Sequence, residues 1–297
     1  MEIILTGASG FIGSNLVDFF IKKKILFSII SSNNNSKKKL KKKFKNKINF
    51  FNKINPKKKY ILLHCASPND ITSNKNFKKS CNGNLLYTYK IIDLIKNSNL
   101  KQIIYLSTAQ VYGLNLKKNV TEKTPLMPTN NYGLFHKFTE DLIFCLKSQF
   151  NLKCKIIILR VSNVLGMPKI YSKNIFRLLP QDICKNLKKN NKALMKSSGK
   201  QYRNFISITN LLEIIYKIIN KNINTGIYNI GDKNMPVINL VKKIIDIYNN
   251  NSKLIINNQN PKKIQKLNFK SNKILNEINF KSKNNLNKTI NDILQSI

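Results

Sequence analysis

The chain has 297 residues, enough for one large domain or a main domain carrying a smaller lobe, and too many for a fibre repeat, a short tail or a disulfide-framework peptide. Its formal charge of +40 comes from 53 Lys+Arg against 13 Asp+Glu, yet arginine occurs only at Arg160, Arg177 and Arg203, and the lysines form no aromatic-interleaved stripe. The charge therefore reads as the imprint of an A- and T-rich coding sequence, and nucleic-acid binding is not expected.

In chain order, the apolar run 2–5 enters "TGASGFIG", and an apolar-periodic segment follows from Ser14 to Phe20. This is strand, glycine turn and helix. "ILFSII" at 25–30 supplies the next strand, and the lysine-rich tract 31–58 reads as surface loop or degenerate helix. "YILLHCAS" is a buried strand, Leu85 to Lys96 a helix, "QIIYLSTAQVYG" a strand running into a loop, Asn131 to Phe150 a long helix, and "KIIILRVSNVLG" another strand entering a loop. Buried strands alternating with helices predict an α/β, Rossmann-like, doubly wound parallel sheet.

After Gly166 the pattern loosens. Residues 175–190, 211–220 and 237–249 read as helices, "NFISIT" as an extended stretch, and "TGIYNIGD" as a strand and turn. The Asn/Lys-rich tail from 250 has room for a strand and one or two short helices. The expected division is a dinucleotide-binding domain over 1–165 and a substrate-binding lobe over 166–297, with some elements returning to the first domain.

The five cysteines, Cys65, Cys81, Cys145, Cys154 and Cys184, are odd in number and lack the close paired spacing of a zinc site, so no metal is expected. No segment approaches the roughly 20 uninterrupted apolar residues of a membrane span, and the chain starts directly with a strand. A cytoplasmic protein without integral membrane association is the expectation.

Glycine is scarce, with 10 in the chain, yet three fall at Gly7, Gly10 and Gly13. Between a strand and a helix this spacing permits a tight turn and lets a pyrophosphate approach backbone N–H groups at the positive helix end. Phe11 and Ile12 lie in the same turn. The second strand ends at Ser31 and Ser32 rather than at a carboxylate for the adenosine ribose, so NAD is the expected cofactor with NADP left open. Thr108 ends the strand "QIIYLS", the sheet edge where ligands bind, and Tyr132 follows 24 residues later at a helix start. A hydroxyl and a phenol converging on a carbinol oxygen suit hydride transfer with the tyrosine exchanging the proton, a task that calls for a phenol pKa lowered by a nearby cation.

With these residues in place the chain resembles the extended short-chain dehydrogenase/reductases, in the branch of nucleotide-sugar epimerases and dehydratases. "TGASGFIG", "STAQVYG", "YGLFHKFTE", "LRVSNVLG", "GKQYRNFISIT" and "YNIGD" carry the likeness, in order, over about residues 1–240. The resemblance implies Thr108 as the group that hydrogen-bonds the sugar oxygen and Tyr132 as the acid/base. Residue 136 corresponds to the lysine that binds the nicotinamide ribose and depresses the tyrosine pKa, and here it is His136. As neutral imidazole it would perturb Tyr132 less than an ammonium; as imidazolium it would act much as the lysine does; the third alternative is a site with lost chemistry.

The resemblance further places Ala66 and Val164 against the cofactor, and Asn163, Gln201 and Arg203 near the substrate pyrophosphate and nucleotide. Arg160 reads equally as a phosphate contact or a structural tie, His64 as a packed core histidine, and Asn82 as a backbone brace. Sugar 4,6-dehydratases of the family carry Asp and Glu after the catalytic Ser/Thr; this chain has Ala109 and Gln110, which disfavours water elimination. The expected activity is a nucleotide-sugar C4 epimerase working through a 4-keto sugar. A 4-keto nucleotide-sugar reductase is the runner-up, and a catalytically degenerate dinucleotide-binding regulator the reading from another class. The expected partners are a nucleotide-diphosphate sugar and, as the resemblance implies, a second copy of the chain docked through the helices at 84–97 and 133–149.

Overall fold

The computed structural model describes residues 1–113, 119–249, 251–257, 266–283 and 285–297. The first half is a strand and helix alternation: β1 (Glu2–Thr6), α1 (Phe11–Lys22), β2 (Phe27–Ile30), α2 (Asn34–Phe44), β3 (Lys59–His64), α3 (Asp70–Lys75), α4 (Phe77–Cys81), α5 (Tyr87–Ile95), β4 (Asn99–Thr108), β5 (Asn119–Val120), α6 (Asn131–Gln149) and β6 (Lys155–Val161). There follow β7 (Asn163–Leu165), α7 (Leu179–Asn190), β8 (Lys192–Met195), β9 (Tyr202–Ser207), α8 (Ile208–Asn220), β10 (Gly226–Ile230), β11 (Lys233–Pro236), α9 (Val237–Tyr248), β12 (Lys253–Ile256), β13 (Asn268–Phe269), α10 (Asn272–Glu277) and α11 (Leu286–Gln295).

Six strands form a parallel sheet in the order β10-β6-β4-β3-β1-β2. Beyond β2 the chain adds a single parallel bridge, Phe50 to Ile29, before crossing back to β3 on the other side of β1. That reversal opens a crevice at the carboxyl ends of β1 and β3, where such sheets bind ligands. Alternating side chains feed two cores, as strand geometry requires. Ile3, Leu5, Ile61 and Leu63 pack with Leu16, Val17 and Phe20 of α1 and with Leu211, Ile214 and Ile215 of α8. Ile4, Tyr60 and Leu62 pack on the opposite face with Ile91, Ile92 and Ile95 of α5 and Ile143 and Leu146 of α6. Both faces being covered explains why these strands read as continuous apolar runs.

A third core lies under α7, α9 and α11, where Ile183, Leu187, Leu240, Ile244 and Ile290 meet Phe205 of β9. Small sheets β11-β9-β7, β12-β8 and β13-β5 surround it and the loop after β4. Since β10 belongs to the large sheet, the chain passes into the smaller lobe and returns. The tract 31–58 yields the lysine-rich helix α2, held by an Asn33 cap and by Leu40 and Phe44 turned into the core. The helix expected from Leu85 begins as a π-helical turn over Asn82–Leu86 before α5. No helix among the described residues is long and apolar enough to cross a membrane.

Candidate active site

The glycine turn is built by close approach. Gly7 has φ +69°, and a Cβ there would lie 2.6 Å from the Cys65 carbonyl carbon, so only glycine lets β1 turn against the end of β3. A Cβ on Gly13 would overlap the Gly7 carbonyl oxygen. Gly10 donates its N–H to Gly7 O at 2.9 Å and caps α1 with no side chain, and the first turn of α1 carries no acidic residue. The N–H groups of Phe11, Ile12 and Gly13 are those that a helix start leaves without intrahelical acceptors. The cradle fits an anionic diphosphate.

Around it, the Ala66 N–H donates to Thr6 Oγ1 at 3.3 Å, and the half-buried Ser31 donates its hydroxyl to Asn33 O at 3.2 Å. Ser9 Oγ reaches Ser36 Oγ at 3.2 Å, tying the glycine turn to the start of α2. Val164 packs half-buried against the main core.

Thr108 ends β4 and is buried, its Oγ1 accepting from Gln110 N at 3.3 Å. Tyr132 sits in the first turn of α6, and that turn is fixed from three sides. Asn130 caps it by accepting from Gly133 N at 2.8 Å, and Gln110 Oε1 accepts from Asn130 Nδ2 at 3.0 Å. Asn74 Oδ1 accepts the Tyr132 N–H at 3.2 Å. Gly133 has no substitute, since a Cβ would sit 2.5 Å from the Gln110 carbonyl oxygen. The loop that carries Thr108 and the helix that carries Tyr132 are thus locked together. Burial pushes the Tyr132 phenol up to about 12; Asp70 pushes the same way, and hydrogen bonding with Thr108 opposes both.

His136, 2% exposed, has both ring nitrogens engaged within the protein. Nδ1 lies 2.6 Å from Tyr105 Oη and Nε2 lies 3.1 Å from Ser67 Oγ. Burial, reinforced by His64, lowers its pKa to about 3, so the ring is neutral at physiological pH. Of the protonation states open in the sequence, burial and the two engaged ring nitrogens favour neutral imidazole, which puts no ammonium beside Tyr132.

His64 is a core residue. Its Nδ1 meets Thr6 Oγ1 at 2.7 Å and its Nε2 meets Thr88 Oγ1 at 2.9 Å, and burial lowers its pKa to about 4. Thr88 in turn donates to Asn84 O, and Asn84 Nδ2 to Ser80 O at 3.0 Å. The brace in this turn is therefore Asn84, which is 1% exposed, rather than Asn82.

Arg160 is a structural tie. Its guanidinium forks onto Glu140, with Nη2 2.6 Å from Oε2, and donates through Nη1 to Tyr112 Oη at 3.0 Å. Ser107 Oγ donates to Glu140 Oε1 at 2.5 Å, and Tyr112 Oη to Asn229 Oδ1 at 2.7 Å, so β4, α6, β6 and β10 meet in one buried network.

On the lobe side, Asn163 donates from Nδ2 to Asn204 O at 2.8 Å, which ties β7 to β9. Gln201 and Arg203 are exposed at the start of β9, Arg203 opposite Met235 of β11. No hydrogen bond or ion pair joins these three residues to Thr108 or Tyr132 among the described residues. Sequence reasoning passed over Ser67, Asn74, Asn84 and Tyr105, whose partners lie on other elements.

The profile of the NAD dependent epimerase/dehydratase family matches residues 3–231. The chain belongs to that family. Within it, dTDP-D-glucose 4,6-dehydratase of Dictyostelium discoideum is 31% identical over 279 residues, covering 83% of this chain and 62% of that protein. The chain thus spans less than two thirds of that relative's length. GDP-6-deoxy-D-talose 4-dehydrogenase of Aggregatibacter actinomycetemcomitans is 25% identical, over 77% of this chain and 74% of that one. Among solved structures, UDP-glucuronic acid 4-epimerase from Bacillus cereus, in complex with UDP-glucuronic acid and NAD, superposes with a TM-score of 0.80 at 18% identity over the full length of both chains. This epimerase/dehydratase chain therefore shares the fold of that enzyme, with a neutral histidine at 136 and no carboxylate at 109 or 110.

Proposed function

We propose that the chain is a nicotinamide-dependent enzyme acting at C4 of a nucleotide-diphosphate sugar, with the 4-keto sugar as substrate or intermediate. Residues 1–165 would carry the cofactor and 166–297 the nucleotide sugar. Gly7, Gly10 and Gly13, with Phe11 and Ile12, would hold the dinucleotide diphosphate, Ser31 its adenosine side, and Ala66 and Val164 its inner wall. NAD or NADP, when bound, supplies or accepts the hydride. Thr108 would hold the C4 oxygen and Tyr132 exchange its proton, while Asn163, Gln201 and Arg203 would meet the nucleotide diphosphate, Arg203 offering an exposed guanidinium fork.

Among C4 reactions, reduction of the keto sugar fits this chain best, and the observation that carries it is the histidine at 136, whose two ring nitrogens are taken up by Tyr105 and Ser67 so that no ammonium stands beside Tyr132; burial raises that phenol to about 12. A phenol held protonated is ready to donate to a carbonyl oxygen as hydride reaches C4; the sugar would gain a hydride at C4 and a proton at its oxygen, the reduced nicotinamide that gives the hydride would be left oxidised, and Tyr132 would recover its proton from solvent. Epimerisation, the reading the sequence favoured, begins instead by removing a hydroxyl proton, for which Tyr132 must first be a phenolate. Water elimination lacks its acid and base, since Ala109 has none and Gln110 is spent on Asn130.

The decisive assay mixes the protein with a 4-keto nucleotide sugar and NADPH or NADH. Stoichiometric cofactor oxidation with formation of the 4-hydroxy sugar is expected. Redox-neutral interconversion of C4 epimers, with NAD retained on the protein, would select the epimerase. The reading includes a homodimer through α5 and α6, supported by exposed Phe77, Leu86, Tyr89, Leu94 and Phe138 on or beside those helices. Light scattering at micromolar concentration tests it, a monomer being the contrary result.

A further inference from the structure

Three buried aromatic rings form a ladder beside the glycine turn. His136 and His64 both stack on Tyr105, with centroids 5.7 and 5.5 Å away and planes inclined by 30° and 28°. Tyr105 belongs to β4 and is 1% exposed. Its hydroxyl proton needs an acceptor, because a buried O–H left unpaired is costly. The acceptor at hydrogen-bond distance is His136 Nδ1 at 2.6 Å; the neighbouring Thr139 hydroxyl gives its own proton to Phe135 O at 2.7 Å and is the weaker contact of the Tyr105 phenol. At the other ring nitrogen, Ser67 donates its one proton to Pro68 O at 3.0 Å, leaving Ser67 Oγ free to accept from Nε2 at 3.1 Å. The arrangement that uses the short contact gives every proton an acceptor: Tyr105 O–H to Nδ1, and Nε2–H to Ser67. The opposite tautomer leaves the Tyr105 proton without the 2.6 Å acceptor.

We propose that Tyr105 is a positioning residue that fixes His136 as a neutral Nε2–H donor aimed at Ser67. Ser67 follows Ala66 beyond the carboxyl end of β3, beside the glycine turn that the proposed function assigns to the dinucleotide, so His136 steadies that wall of the crevice through Ser67; the functional part of the inference rests on that assignment. In place of a mobile ammonium, this chain has a rigid, uncharged hydrogen-bond edge whose orientation is set from the strand behind it. The consequence is division of labour: position 136 holds geometry, and the charge that would ionise Tyr132 is absent.

Since the chain has only two histidines, nitrogen-15 histidine labelling gives two rings to read. Long-range proton–nitrogen correlation spectra of the full-length protein near neutral pH are expected to show both rings as neutral Nε2–H tautomers. In Tyr105→Phe, an isosteric change in a packed site, the His136 pattern should shift or become a tautomer mixture while that of His64 keeps its Nε2–H tautomer. NADPH binding, read by fluorescence titration, should weaken about three- to tenfold, because a ring free to turn no longer holds Ser67 in place at the wall of the crevice. A His136 that is Nδ1–H or doubly protonated in the wild type overturns the proposal, and so does a Tyr105→Phe protein whose His136 tautomer and NADPH affinity are unchanged. The wild-type spectrum decides the tautomer even where the variant fails to fold. A locked His136 ring in a protein that converts no nucleotide sugar would sink the functional reading and leave the tautomer assignment standing.

Discussion

The ring of His136 stands edge-on to that of Tyr132, with centroids 4.6 Å apart and planes at 70°. The contact brings dispersion and a quadrupole interaction but no net charge, because the imidazole is buried and neutral. Burial, with Asp70 pushing the same way, raises the phenol to about 12, which is in keeping with the acid role proposed for it.

Introducing a cation should reverse that bias. His136→Lys is expected to lower the Tyr132 pKa by about 1 to 3 units. In the direction of sugar oxidation, where phenolate is the active form, the alkaline limb of the rate profile should move down by the same amount. A folded variant whose limb stays in place would show that position 136 has no electrostatic hold on Tyr132.

The two histidines also set the acid sensitivity of the fold. In the unfolded chain each takes up a proton near pH 6.5, whereas in the folded protein His64 waits until about 4 and His136 until about 3. The unfolded state then holds more protons, so stability is full above about pH 6.5 and falls as pH drops toward the folded values. Each histidine contributes a slope of about 1.4 kcal/mol per pH unit. Urea unfolding between about pH 6.5 and 5, above most carboxylate titration, should show a slope that steepens toward twice that value as pH falls, and His64→Gln should about halve it. A flat profile would mean that the rings are solvated.

Glu140→Ala strands Arg160 without its counter-charge in a site where both side chains are 3% exposed. The expected loss is about 3–5 kcal/mol of folding stability, because one partner of a buried pair is left unmatched. Denaturant unfolding that shows under about 1 kcal/mol would contradict the structural role given to the pair.

Much of this architecture is legible in the chain itself. Ile3 to Leu5, Ile61 to Leu63 and Ile156 to Leu159 are uninterrupted apolar runs, which only a sheet covered on both faces explains, and Gly7, Gly10 and Gly13 mark the turn. Thr108 and Tyr132 follow from their positions at a strand end and a helix start. Helices α3 and α4 escaped notice because "DITSNK" and "FKKSC" have little apolar periodicity and are defined instead by Asn69 and Asn76 caps. Tyr105 reads as one more buried strand residue, and its bond to His136 spans 31 positions. Ser67 and Asn74 meet their partners across 69 and 58 positions, separations at which a single sequence carries no signal.

Gly13→Ala should abolish dinucleotide binding, since its Cβ would overlap the Gly7 carbonyl and force α1 away from β1. Calorimetric titration with NADH and NADPH checks this on protein whose circular dichroism matches wild type. Retained affinity for either would place the diphosphate elsewhere.

Tyr132→Phe should lower keto-sugar reduction by about two to four orders of magnitude while sparing cofactor affinity, the range expected for a positioned general acid. Equal turnover in the variant would remove Tyr132 from the chemistry.

The most direct test of the central claim is the pH dependence of kcat for reduction of a 4-keto nucleotide sugar between about pH 6 and 9, with the hydride-transfer step isolated by deuterated cofactor. With the phenol pKa near 12, the donor is protonated throughout and the profile should be level. A rate that falls with an apparent pKa near 7 would show that Tyr132 ionises easily in the working enzyme, and would contradict the assignment of a protonated acid at this site.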